Sequence, residues 1–156
     1  MISQTSPERL VLVGCVATKQ TGTHRAADLY TSPLWKKRRA YAQASNCPWL
    51  IVSAQHGFVD PNTIVASYNT QLKASTVGDW SSRHKRRLSV LVSKSPVTLE
   101  VHGGVHYVDA VERAARYLNL FEGYNITVTA PLAGKMIGQT LSWYNAHPEG
   151  TCTTSF

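Results

Sequence analysis

Val11-Leu12-Val13 runs directly into Gly14-Cys15-Val16-Ala17-Thr18-Lys19. A short apolar, β-branched run that stops at a glycine reads as a buried strand and the loop leaving it. The pattern returns three times. Leu50-Ile51-Val52 leads into Ser53-Ala54-Gln55-His56-Gly57-Phe58, Val97-Thr98-Leu99-Glu100-Val101 into His102-Gly103-Gly104, and Ile126-Thr127-Val128-Thr129 into Ala130-Pro131-Leu132-Ala133-Gly134-Lys135. Helical spacing fills the intervals. Strand, loop and helix in repetition predict an α/β fold with three layers, a mostly parallel central sheet of about four strands, and helical crossovers. Such sheets present ligands beyond the carboxyl ends of their strands, and the reactive side chains of this chain fall there.

Strands are expected at 9–14, 49–53, 97–101 and 126–129, and helices at 34–45, 79–92, 108–118 and 135–145. Ser32 suits an N-cap with Pro33 in the first turn, and Asp79 suits the cap of the second helix. Segments 14–33 and 54–76 read as long loops, which inside a compact domain are usually functional. A length of 156 residues and a hydrophobic share of 43% suit one domain with a real core. That domain is expected over 1–147, with 148–156 as a loose tail. No apolar run can span a bilayer, so no membrane partner is expected. Residues 1–9 lack a signal peptide's apolar core. Three cysteines at irregular spacing make no disulfide framework. The chain therefore reads as reduced and cytoplasmic.

The net charge is +7 and unevenly placed. Residues 29–94 hold ten Lys or Arg against Asp60 and Asp79, a balance of +8, while the remainder balances at −1. The excess lies chiefly in Lys36-Lys37-Arg38-Arg39 and in Arg83-His84-Lys85-Arg86-Arg87. Clustered cations attract polyanions. Lys36, Lys37, Arg38, Arg39, Arg83, Lys85, Arg86 and Arg87 are therefore the candidates to track a nucleic-acid backbone; two solvated helix faces are the plain alternative.

Lys19, Asp28 and His56 are the candidate catalytic residues. Lysine is a nucleophile only when its pKa is lowered; as an ordinary cation it holds a phosphate. Asp28 can orient a base edge or a water, or cap a turn. His56, just past a strand, has the ionisation range of a general acid or base, or of a structural histidine bonded to a carbonyl. Cys15 is a nucleophile or a small core residue. Substrate contacts are expected from Cys15, Tyr30, Ser32, Ser53, Gly57, Phe58, Tyr68, His102, Gly103 and Gly134. Among them Tyr30, Phe58 and Tyr68 are suited to stacking on a base. The glycines allow close backbone approach, and the helix start after Gly134 offers free N–H groups to an anion. Gly134-Lys135 is no phosphate-loop motif, because Thr129 and Met136 stand where Gly and Ser/Thr belong. Cys15, His24, His56, His102 and His106 include no pair at a zinc spacing. No metal and no cofactor is expected.

Taken together, Gly14-Cys15 through Lys19, Ala27-Asp28-Leu29-Tyr30-Thr31-Ser32-Pro33-Leu34, Ser53-Ala54 through His56-Gly57, Asp60-Pro61, His102-Gly103-Gly104, Tyr107 and Pro131-Leu132-Ala133-Gly134 to Ile137-Gly138 resemble a family of small bacterial and phage proteins similar to YaaA-type peroxide-stress proteins. The Cys…Lys opening also resembles, more distantly, the core domain of archaeosine synthase, where a lysine is joined to a modified guanine; that resemblance implies Lys19 as the reacting amine. The sheet-and-loop plan is similar to uracil-DNA-glycosylase-like folds by analogy. The function expected is a nucleic-acid-acting protein that handles a nucleobase or nucleotide in a cleft at the strand ends, base-modifying or N-glycosylase-like. DNA is preferred over RNA as partner. A non-catalytic protein binding DNA or a host protein is the second reading, and an enzyme on free nucleotides the third. Oligomeric state is open.

Overall fold

A computed structural model describes residues 7–147. The four apolar runs form the parallel strands β1 (Arg9–Gly14), β3 (Trp49–Ser53), β6 (Val97–His102) and β7 (Ile126–Thr129). A fifth strand, β4 (Gly57–Val59), turns back antiparallel on β3, giving the order β4-β3-β1-β6-β7. β1, β3 and β6 are buried along nearly their whole length, as strands covered on both faces must be.

The helices are α1 (Ala26–Leu29), α2 (Pro33–Ala44), α3 (Val77–Leu91), α4 (Val105–Glu122) and α5 (Ile137–Ala146). The Ser32 hydroxyl accepts from the Trp35 N–H at 3.1 Å and caps α2, as its place before Pro33 predicts. α3 begins two residues before Asp79, on Thr76; Asp79 instead pairs with Arg83 one turn on, at 3.0 Å. α4 begins at Val105 because Gly104 is its N-cap. α5 begins at Ile137, two residues later than its apolar spacing suggests. Neither long segment is a featureless loop. Residues 14–33 hold β2 (Thr23–Arg25) and α1, and 54–76 hold β4 and β5 (Ile64–Ala66). β2 and β5 pair antiparallel and tie the two segments together. Three-residue strands of mainly exposed residues leave no period to read. The tail expected at 148–156 lies outside the described residues.

From β1 the chain crosses to β3 on one side. After β4 it returns through α3 to β6 on the other side of β1. Right-handed crossovers then put α2 on one face of the sheet and α3 and α4 on the opposite face. α3 packs on α4, and α5 packs on α2. Strand alternation matches: Leu10 and Leu12 register with Leu99 and Val101, and Arg9 and Val11 register with Thr98 and Glu100. The reversal of direction at β1 opens a crevice between the carboxyl ends of β1 and β6, where this class of sheet binds ligands.

Cys15 is a free buried thiol. No helix among the described residues is long and apolar enough to cross a membrane.

Candidate functional site

Two groups of side chains meet at the carboxyl end of β1. The first is centred on Tyr68. Its hydroxyl lies 2.6 Å from the Tyr30 hydroxyl and accepts from the Ser53 hydroxyl at 2.9 Å. The Lys19 ammonium sits 4.6 Å from the Tyr68 ring centre and 5.8 Å from that of Tyr30, within cation–π range. His56 meets Tyr68 edge-on, with ring centres 5.3 Å apart. Lys19 reaches this position because its backbone bridges to Tyr30. Cys15 Sγ, alongside, is 3.0 Å from the Tyr107 hydroxyl. Burial, and then the proximity of Cys15, raises the pKa of Tyr30, Tyr68 and Tyr107. All three stay protonated at neutral pH.

Lys19, His56, Tyr30, Tyr68 and Ser53 thus come together, and Asp28 does not join them. Its carboxylate binds Arg39 at 2.7 Å and Arg25 at 3.0 Å. The Arg39 hydrogen bond, chiefly, lowers its pKa. Ser32 is the α2 cap, and Phe58 is buried against Trp80 with ring centres 5.3 Å apart. Gly57 adopts a left-handed φ of +77°, and a Cβ there would lie 2.3 Å from the His84 ring. Burial lowers the pKa of His84, with Arg83 adding to the effect.

The second group lies under α2 and α5. His102, expected at the ligand, is fully buried. Its Nε2 is 2.8 Å from Glu100 Oε1 and its Nδ1 is 2.7 Å from the Tyr144 hydroxyl. A carboxylate only accepts, so Nε2 carries the proton and Nδ1 accepts from Tyr144. Burial, with the guanidiniums of Arg38 and Arg9, pulls the His102 pKa down to about 3, and the ring is neutral. Tyr41 donates to Glu100 Oε1 at 2.7 Å, and Arg9 pairs with the same carboxylate.

Arg38 corrects the reading of the basic stretch. It is 7% exposed and cannot track a nucleic-acid backbone. Trp35, Arg38, Tyr41 and Ala42 share the buried face of α2, a helical period that was legible from Trp35 and Tyr41. Of the other cations, Arg39 pairs with Asp28, Arg83 with Asp79, and Arg86 with Glu122 in a two-pronged contact at 2.7 and 2.9 Å. Lys85 lies 4.1 Å over the Tyr117 ring, and Lys37 donates to Asn145 at 2.6 Å. Lys36 and Arg87 are exposed. The two basic helices occupy opposite faces of the sheet.

Gly14 and Gly103 hold the crevice closed at its base. A Cβ on Gly14 would lie 3.0 Å from the Gly103 Cα. Gly104, Leu132, Gly134 and Lys135 line a cavity next to Arg38. Glu100, Tyr144 and the cavity role of Arg38 were not foreseen. Among the described residues, no three His, Cys, Asp or Glu side chains gather to hold a metal.

No curated protein and no solved structure matches this chain. Residues 10–146 match the model of a family of unknown function, DUF6884, and the chain belongs to that family.

Proposed function

We propose that the protein handles a nucleobase or nucleotide, within or released from nucleic acid, at the Tyr68 shelf. The observation that carries this reading is the convergence of Lys19 and His56 on the Tyr68 ring at the carboxyl end of the sheet. A flat base needs an aromatic face, and a cation beside that face suits an electron-rich ring or its phosphate. The chemistry is base modification or glycosidic-bond cleavage, with Lys19 as nucleophile or anchor and His56 as the proton-transfer group. DNA is the preferred polymer, and the exposed cations Lys36, Lys37 and Arg87 are the groups that reach it. The YaaA-type and archaeosine-synthase resemblances, and the glycosylase-like fold analogy, point the same way.

The test is base release or modification in a nucleic-acid pool, with Lys19→Arg and Lys19→Ala beside the parent. A nucleophile loses activity in both variants, and an anchor survives partly in Lys19→Arg. Full activity in both removes Lys19 from the mechanism. A second reading, a non-catalytic DNA- or host-protein-binding protein, is favoured by Asp28, which two guanidiniums occupy. It predicts intact binding with no turnover. A cytoplasmic location is proposed from the three cysteines, whose irregular spacing makes no disulfide framework.

A further inference from the structure

Beside Arg38 lies a cavity of about 400 Å³, within the range of small-molecule sites. Its walls are α2, the Gly103-Gly104-Val105 turn into α4, and the segment from Leu132 into α5. None of its lining residues is acidic, and Arg38 and Lys135 are basic. Arg38 is more than nine-tenths buried, and its Nε has no hydrogen-bond partner. Its Nη1 is 3.5 Å from the Gly14 carbonyl, longer than a normal N–H···O bond. Among the described residues no carboxylate pairs with it; Glu100, the acid of this layer, is bound by Arg9, Tyr41 and His102. A guanidinium withdrawn from water without an anion is costly.

The backbone adds to the same demand. Gly104 starts α4 without a side-chain cap, and the first turn of that 18-residue helix carries no acid. α5 likewise has no acid in its first turn. Two helix N-termini and a buried guanidinium therefore converge on one space, which is the electrostatic description of a phosphate site.

We propose that this cavity binds the phosphate group of a phosphorylated small molecule, with Arg38 as its buried counter-charge. The α4 N–H groups and Lys135 complete the anion's shell. The space exceeds a bare phosphate, so the rest of the ligand occupies the outer part, against Leu34 and Ile137. This chemistry is independent of the base-handling shelf at Tyr68, and the two readings fail separately.

The experiment titrates the full chain with inorganic phosphate, against chloride at matched ionic strength. It follows the Arg38 Nε–H resonance by NMR and the affinity by calorimetry. The expected result is a saturable shift of that resonance with phosphate alone. Arg38→Gln should weaken binding by about tenfold or more, the loss of one charge-assisted contact. Two variants preserve the fold if Arg38→Gln does not. Val105→Pro removes one N–H at a position where helices accept proline, and Lys135→Ala removes an exposed cation. Each should weaken phosphate severalfold. An unshifted Arg38 resonance in the parent, or unchanged affinity in Val105→Pro and Lys135→Ala, overturns the proposal.

Discussion

Against α3 and α4 the sheet presents Leu10, Leu12, Leu99 and Val101; against α2 and α5 it presents Arg9, Glu100 and His102. The first face closes on Trp80, Leu88, Ala114 and Leu118, all at most 1% exposed. The second closes on Tyr41 and Tyr144, joined through one carboxylate and one neutral imidazole, with the buried Arg38 beside them. Apolar packing is non-directional and tolerates small shifts. A buried polar network fixes orientation, and each group left without a partner is expensive. One face therefore supplies the bulk of stability. The other trades some of it for a defined array of donors beside a cavity.

The contrast is broken or sharpened by four measurements, taken from the largest expected effect to the smallest. Leu118→Ala opens a hole in the apolar face and should cost about 2–5 kcal/mol in denaturant unfolding. A cost below that of the polar-face changes would reverse the comparison.

The pH dependence tests the polar face. The folded pKa of His102 is depressed to about 3 from the ordinary 6.5, so the unfolded chain binds a proton that the native state refuses. His102's contribution is fully present above pH 6.5 and falls as pH drops toward 3, by at most about 1.4 kcal/mol per pH unit. His84 is depressed in the same direction, and Asp28 and Glu122 add their own losses only at lower pH. Unfolding free energies between pH 6.5 and 4.5 should therefore decline in the parent and flatten in His102→Gln. An identical slope in both would mean that His102 is charged in the native state.

Tyr41→Phe removes one donor from Glu100 and should cost about 1.5–3 kcal/mol, the range for hydrogen bonds to charged groups. Ser32→Ala removes the α2 cap and should cost about 1 kcal/mol. A Ser32→Ala cost equal to that of Tyr41→Phe would show that the network adds nothing beyond ordinary helix ends.

β1, β3 and β6 were legible because they are buried along nearly their whole length and run into loops marked by glycine; Val11 to Gly14 alone sets the plan. Lys19, Tyr30, Ser53, His56 and Tyr68 were legible as candidates because each follows a strand or sits in a polar segment, and the fold brings them together. What was not legible depends on partners distant in sequence. Glu100 and His102 look like the end of a strand until Arg9 and Tyr144 are brought to them. Arg38 looked like surface charge because it sits among Lys36, Lys37 and Arg39, although its spacing from Trp35 and Tyr41 points inward. β2 and β5 stayed hidden because each is only three residues long, too short for a period to show, and their outer residues are exposed.

Gly57 carries one last consequence. With no Cβ there, the His84 ring of α3 fills the space directly beneath the turn that bears His56. His84 in turn lies tilted against Trp80, whose indole donates to the Ser53 carbonyl at 2.9 Å. The turn and the helix thus pack as one unit. A change of side chain at His84 therefore reaches the turn that bears His56 through packing alone.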